Sequence, residues 1–280
     1  MNKFLLFFYS LLLGAYAFAI PTKVNAPFFK VEKNGQVAYM LGTIHTGLDF
    51  SSLPKEIQTL SDTSESLIVE TDISSAQALL AQAFPSGAKD SLKNQLTQDE
   101  WDKFSSVVGP LLGPQAPFVM DRLHPAMATS IYSSANFPET KEPLDRFLVD
   151  KFTKSNKPIL FFEDISVQLD VIAKTQTIDT LKQTLVVTQA QMDQQAQMLL
   201  FIYSSGNLQL VEQFLVNPMP QEQLDLLLIN RNLAWQTKFD DLFNRQGVEF
   251  FAFGAAHLVT DFGMIKLAED LGYTVTQLQY

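Results

Sequence analysis

The chain has 280 residues, 46% of them hydrophobic and 18% charged, which is ample for a real core in one or two domains and too apolar for a mainly disordered chain. Thirty acidic side chains against 20 basic ones leave a formal charge of −10, and the absence of clustered Lys and Arg argues against nucleic acid as a partner. With no Cys there is no disulfide, thiolate site or cysteine nucleophile, so any metal must be held by His, Asp or Glu, and the only His are His45, His124 and His257.

In chain order, Lys3 and an apolar run from Phe4 to Ala15 precede two A-x-A patterns ending at Ala17 and Ala19. That reads as a signal peptide over residues 1–19, and it places the mature protein in the periplasm or outside the cell with no membrane span after cleavage. Phe28 to Glu32 and Gln36 to Leu41 flank Asn34 and Gly35, which predicts a two-residue hairpin. Pro54 opens a short helix, and Ser66 to Glu70 is a strand ending in a carboxylate. Thr97 and Glu100 form a capping box, and Pro110, Gly113, Pro114 and Pro117 break the chain after that helix. Further helices are expected over Asp121 to Ser134 and Pro143 to Asn156. Ile159 to Phe162 is a continuous apolar run, expected to be a strand buried on both faces, and it runs into Glu163.

Long helices are predicted from Ser166 to about Tyr203, with a break near Thr177 to Thr180, and from Pro220 to Arg245. Trp101 and Trp235 read as core-packing helix residues. Val248 to Phe253 is a strand, Asp261 to Leu271 a helix stopped by Gly272, and Tyr273 to Leu278 the last strand.

The two ends match. Gly42 to Phe50 and Gly254 to Phe262 both read G-x-x-H-x-x-x-D-F, each between a strand and a helix. The predicted fold class is α/β (α+β), a mixed central sheet built from two β-GxxH-α-β halves at the chain ends. Residues 20–280 form a single domain with a large helical insert over about 74–246. Ligands of open α/β sheets bind beyond the carboxyl ends of strands, where His45 and His257 would meet Glu70 and Glu163. Two imidazoles and a carboxylate suit a divalent ion such as Mn, Co or Zn, with the second Glu as base. Asp49 and Asp261 read as turn or capping residues and His124 as structural. Arg231, between Asn230 and Asn232, is a candidate carbonyl or ligand anchor.

The blocks from Tyr39 to His45, Leu67 to Glu70, Phe162 and Glu163, Asn230 to Asn232 with Trp235, and Gly254 to Leu258 resemble the TraB/PrgY/GumN family over about residues 27–280. That family is similar to the Tiki metalloproteases and, more distantly, to the erythromycin-esterase and ChaN-like fold. The resemblance implies a mixed α/β core with a helical insert and, in the Tiki branch, peptide hydrolysis dependent on Mn or Co. It matches His45 and His257 to the motif histidines, Glu70 and Glu163 to the acidic positions, and Arg231 and Asn232 to the RN pair. Ala256 stands where the family commonly has Gly. The expected function is an exported metal-dependent hydrolase of a peptide or protein. In this reading His45, His257 and a carboxylate, Glu70 first and Glu163 second, hold the metal, the remaining Glu activates water, and Arg231 with Asn232 orients substrate or stabilises the developing oxyanion. A non-catalytic peptide-sequestering protein and a metal-independent, esterase-like hydrolase are the alternatives.

Overall fold

The computed structural model describes residues 23–44, 48–72, 91–136, 143–243 and 247–280. The predicted leader and His45 therefore lie outside the described residues. Strands β1 (Phe28–Lys33), β2 (Gln36–Thr43), β3 (Ser66–Val69), β4 (Ile159–Phe161), β5 (Glu249–Gly254) and β6 (Thr274–Gln277) form one sheet in the order β4-β3-β5-β2-β1-β6. Asn34 and Gly35 both take positive φ, 54° and 81°, as a type I′ hairpin turn requires, and β1 and β2 pair antiparallel around them. The pairs β2–β5, β5–β3 and β3–β4 are parallel. The sheet is therefore mixed, and the fold is α/β as predicted.

The topology brings the matched ends together. β2 and β5 are neighbours, with Gly42 opposite Phe253 and Thr43 opposite Gly254. From β2 the chain passes through the Lys55–Thr63 helix to β3 on one side of β5. From β5 it passes through the Met264–Asp270 helix to β6, in the other direction across the sheet. Two neighbouring parallel strands whose connections leave in opposite directions make a topological switch point, and the carboxyl ends of those strands are where such sheets bind ligands.

Contacts divide the chain into two compact units. One takes in the chain up to Thr71, Glu139–Glu163 and Ala196–Tyr280, and it carries the sheet. Its core is aromatic. Phe162 stacks on Trp235 at 5.3 Å, and Phe239 stacks on Phe251 at 5.2 Å, all four fully buried. Each such ring contributes roughly 1.5–3 kcal/mol by burial. The second unit, Asp72–Pro138 and Asp164–Gln195, is helical where described. The helical insert expected over about 74–246 is thus divided: 139–163 and 196–246 group with the sheet instead.

Several elements differ from expectation. β4 is an edge strand with Phe161 36% exposed, not a strand buried on both faces. The burial expected of its apolar run falls to Phe162, just beyond its end, which packs on Trp235. The helix opened by the Thr97–Glu100 capping box continues past Pro110 and ends only at Gly113, where φ is 56°. The long Gln-rich helix is cut twice, giving Ile165–Thr175, Ile178–Val186 and Gln189–Ser205. Thr188 starts the third piece by pairing with Gln191, a capping box with Gln in place of Glu. The expected Pro220 to Arg245 helix contains a π turn, Asp225–Ile229, directly before the Asn230–Phe243 segment. Among the described residues no helix is long and apolar enough to cross a membrane.

Candidate active site

At the carboxyl ends of β3 and β5, five of the six predicted site residues join in one hydrogen-bonded network. Arg231 lies at its centre, 7% exposed. Its Nε donates to Glu163 Oε1 at 3.0 Å, and its Nη2 donates to Glu163 Oε1 at 2.6 Å and to Glu70 Oε2 at 2.7 Å. Its Nη1 donates to the Leu227 carbonyl and to His257 Nε2, both at 3.2 Å. All five N–H bonds of the guanidinium are therefore engaged. Burial opposes the charge on Arg231, but Glu70 and Glu163 outweigh it and raise its pKa above the ordinary value.

Arg231 lies just after the π turn over Asp225–Ile229, and its side chain folds back to donate to the Leu227 carbonyl within that turn.

Asn232 works through His257. Its Nδ2 donates to the main-chain carbonyls of His257 at 3.2 Å and Phe262 at 2.8 Å. Its Oδ1 therefore faces His257 Nδ1, 2.6 Å away, and that nitrogen carries the proton. The Nε2 lone pair is left pointing at Arg231 Nη1, with Glu70 Oε2 3.8 Å away. Holding one imidazole N–H on a carbonyl oxygen is how proteins orient a His whose other nitrogen binds a metal.

The two carboxylates differ. Glu163 is 8% exposed and both its oxygens are occupied, Oε2 accepting from Trp235 Nε1 at 2.9 Å as well as from Arg231. Glu70 is the more open, its side chain 14% exposed, with Oε1 accepting from the Gly254 backbone N–H at 2.7 Å. Arg231 bridges the two carboxylates, its Nη2 lying 2.7 Å from Glu70 Oε2 and 2.6 Å from Glu163 Oε1.

The glycines of the two motifs do different work. A Cβ on Gly42 would lie 2.7 Å from Leu258 Cδ1 and 3.2 Å from Ala255 Cα, so Gly42 lets the turn of the second motif lie against β2. A Cβ on Gly254 would point at Glu70 Oε1, 3.4 Å away, and His257 Cδ2, 3.6 Å away. Tyr203, fully buried, donates to the Gly42 carbonyl at 2.8 Å, and burial holds its phenol well above the ordinary pKa.

Trp235 is the residue that sequence reasoning left to the core. It is fully buried, but its indole N–H also fixes Glu163 and its ring lies 4.9 Å from the Arg231 guanidinium. Its place one helical turn after Arg231 was the available signal. His124 belongs to the second unit, where its Nδ1 accepts from the Ala126 N–H. Asp49 precedes the short turn Phe50–Ser52 without a side-chain cap.

Among the described residues no group of three or more His, Asp or Glu gathers as a metal site. Glu70 Oε2 and His257 Nε2 are a pair of suitable donors. Two ligands about 2.1 Å from one tetrahedral ion stand roughly 3.4 Å apart, close to the 3.8 Å observed. The donor types fit a borderline divalent ion, and Arg231 Nη1 must release Nε2 for that nitrogen to bind one.

No curated protein matches the chain. A family model does, that of the TraB/PrgY/gumN family, over residues 27–277, and this span takes in every residue of the network. The chain therefore belongs to the TraB/PrgY/gumN family.

Proposed function

We propose that the chain is an exported, divalent-metal-dependent hydrolase of peptide or protein substrates, with Glu70, His257 and His45 as the metal donors. One observation carries this reading: Glu70 Oε2 and His257 Nε2 lie 3.8 Å apart at a topological switch point. A Mn, Co or Zn ion held there would polarise a scissile carbonyl and acidify water. The chain's own residues prepare that place. Glu163 and Trp235 fix Arg231, Arg231 fixes Glu70, and Asn232 sets the tautomer of His257. Glu70 is the carboxylate that lies beside His257, while Glu163 is held by Arg231 and Trp235.

The contact between Arg231 Nη1 and His257 Nε2 favours a second reading, in which His257 works without metal as a general base oriented by Asn232. Turnover of a peptide library by the mature protein loaded with Mn, Co or Zn separates the two. Cleavage abolished by a chelator and by Glu70→Gln is the expected result. Cleavage that survives the chelator supports the metal-free reading, and intact peptides throughout support sequestration.

A further inference from the structure

The reaction proposed above needs a hydrogen-bond donor for the negative charge that grows on the substrate carbonyl oxygen. Arg231 and Asn232, the residues that sequence analysis offers for this, have no N–H to spare. All five donors of Arg231 and both of Asn232 are bonded within the protein. Trp235 Nε1 and the Gly254 N–H are likewise engaged, on Glu163 and Glu70.

Thr43 is different. It ends β2, two residues before His45, and is 3% exposed. Its Oγ1 is buried without a hydrogen-bond partner among the described residues, a condition that costs about 1–3 kcal/mol and that folded proteins rarely tolerate without cause. The β2–β5 register sets Thr43 directly opposite Gly254. Register partners in a sheet project their Cβ atoms from the same face, and the face of Gly254 is the one that meets Glu70 Oε1 and His257 Cδ2. The unpartnered hydroxyl thus stands one strand away from the Glu70–His257 pair, on the same face of the sheet.

We propose that Thr43 is a catalytic residue whose hydroxyl donates to the substrate carbonyl oxygen as it becomes an oxyanion. The proposal rests on the hydrolase reading. In the unliganded chain Thr43 Oγ1 is closed to solvent. A donor in a dry site is stronger than the same donor in water, which is what this role requires.

The test compares the wild type, Thr43→Val and Thr43→Ser, loaded with the same metal ion, on one cleaved peptide. Thr43→Val keeps the shape and removes the hydroxyl. It is expected to bind the ion as the wild type does, melt at the same or a higher temperature, and lose about 100-fold in kcat with little change in KM. Thr43→Ser restores most of the rate. A Thr43→Val protein with wild-type kcat overturns the proposal alone. One that melts markedly lower also overturns it, by showing that the hydroxyl serves the fold. A wild type that cleaves no peptide overturns both this proposal and the reading on which it rests.

Discussion

The helical unit and the end of the sheet handle their polar groups in opposite ways. In the helical unit, side-chain hydrogen bonds are mostly local: Thr97 with Glu100, Gln98 with Asp102, Thr188 with Gln191, each at the surface and three or four residues apart. At the end of the sheet, buried charges meet across long stretches of chain. Arg231 reaches Glu163 over 68 residues and Glu70 over 161, and Gly254 reaches Glu70 over 184. The Thr97 and Thr188 bonds satisfy helix ends and are worth about 1 kcal/mol each, and the Gln98–Asp102 pair on the helix surface is worth roughly 0.2–0.5 kcal/mol. A buried charge network of the second kind is weak support for a fold, since apolar residues of the same size often serve as well. Its presence at a strand edge points to chemistry.

The contrast can be broken most directly at Arg231. Arg231→Ala leaves Glu70 and Glu163 buried without their cation and should lower stability by about 3–5 kcal/mol in urea melts. Replacing the trio together, Glu70→Leu, Glu163→Leu and Arg231→Met, should cost far less than Arg231→Ala alone. If the triple variant is as unstable as the single one, the network serves the fold. Gly42→Ala is next. Its methyl would press on Leu258 and the Ala255 backbone, with an expected loss of about 1–3 kcal/mol and of metal affinity. An unchanged melt would show that the turn of the second motif does not depend on β2.

On the other side of the comparison, Thr97→Ala removes one cap and should cost about 1 kcal/mol, leaving metal binding untouched. The smallest effect is one of pH. Burial lowers the pKa of His124, so the unfolded chain takes up its proton first. Its contribution is fully present above the unfolded value of about 6.5 and is lost as pH falls through the lower folded value. Melting temperatures between pH 7.5 and 5 should decline less steeply in His124→Asn than in the wild type.

The same contrast explains what the sequence made legible. The Asn34–Gly35 hairpin, the Thr97 capping box and the Gly272 stop depend on residues a few positions apart, and all three are present. The repeated G-x-x-H pattern placed two strand ends side by side, because matched motifs can be compared without knowing the path between them. What was not legible depends on distant partners. Nothing local told Glu163 from Glu70, since the difference lies in Trp235 and Arg231, far along the chain. Nor did anything local mark Thr43, whose buried, unpartnered hydroxyl stands out beside the engaged donors of Arg231, Asn232 and Trp235.

The central claim is that Glu70 and His257 hold a divalent ion. It is tested most directly by calorimetric titration of the mature protein with Mn, Co and Zn, beside Glu70→Gln and His257→Ala variants shown to be folded. One ion per wild-type chain, with affinity lost in both variants, is the predicted result. No binding of any of the three ions by the wild type, or equal binding by all three proteins, would contradict it.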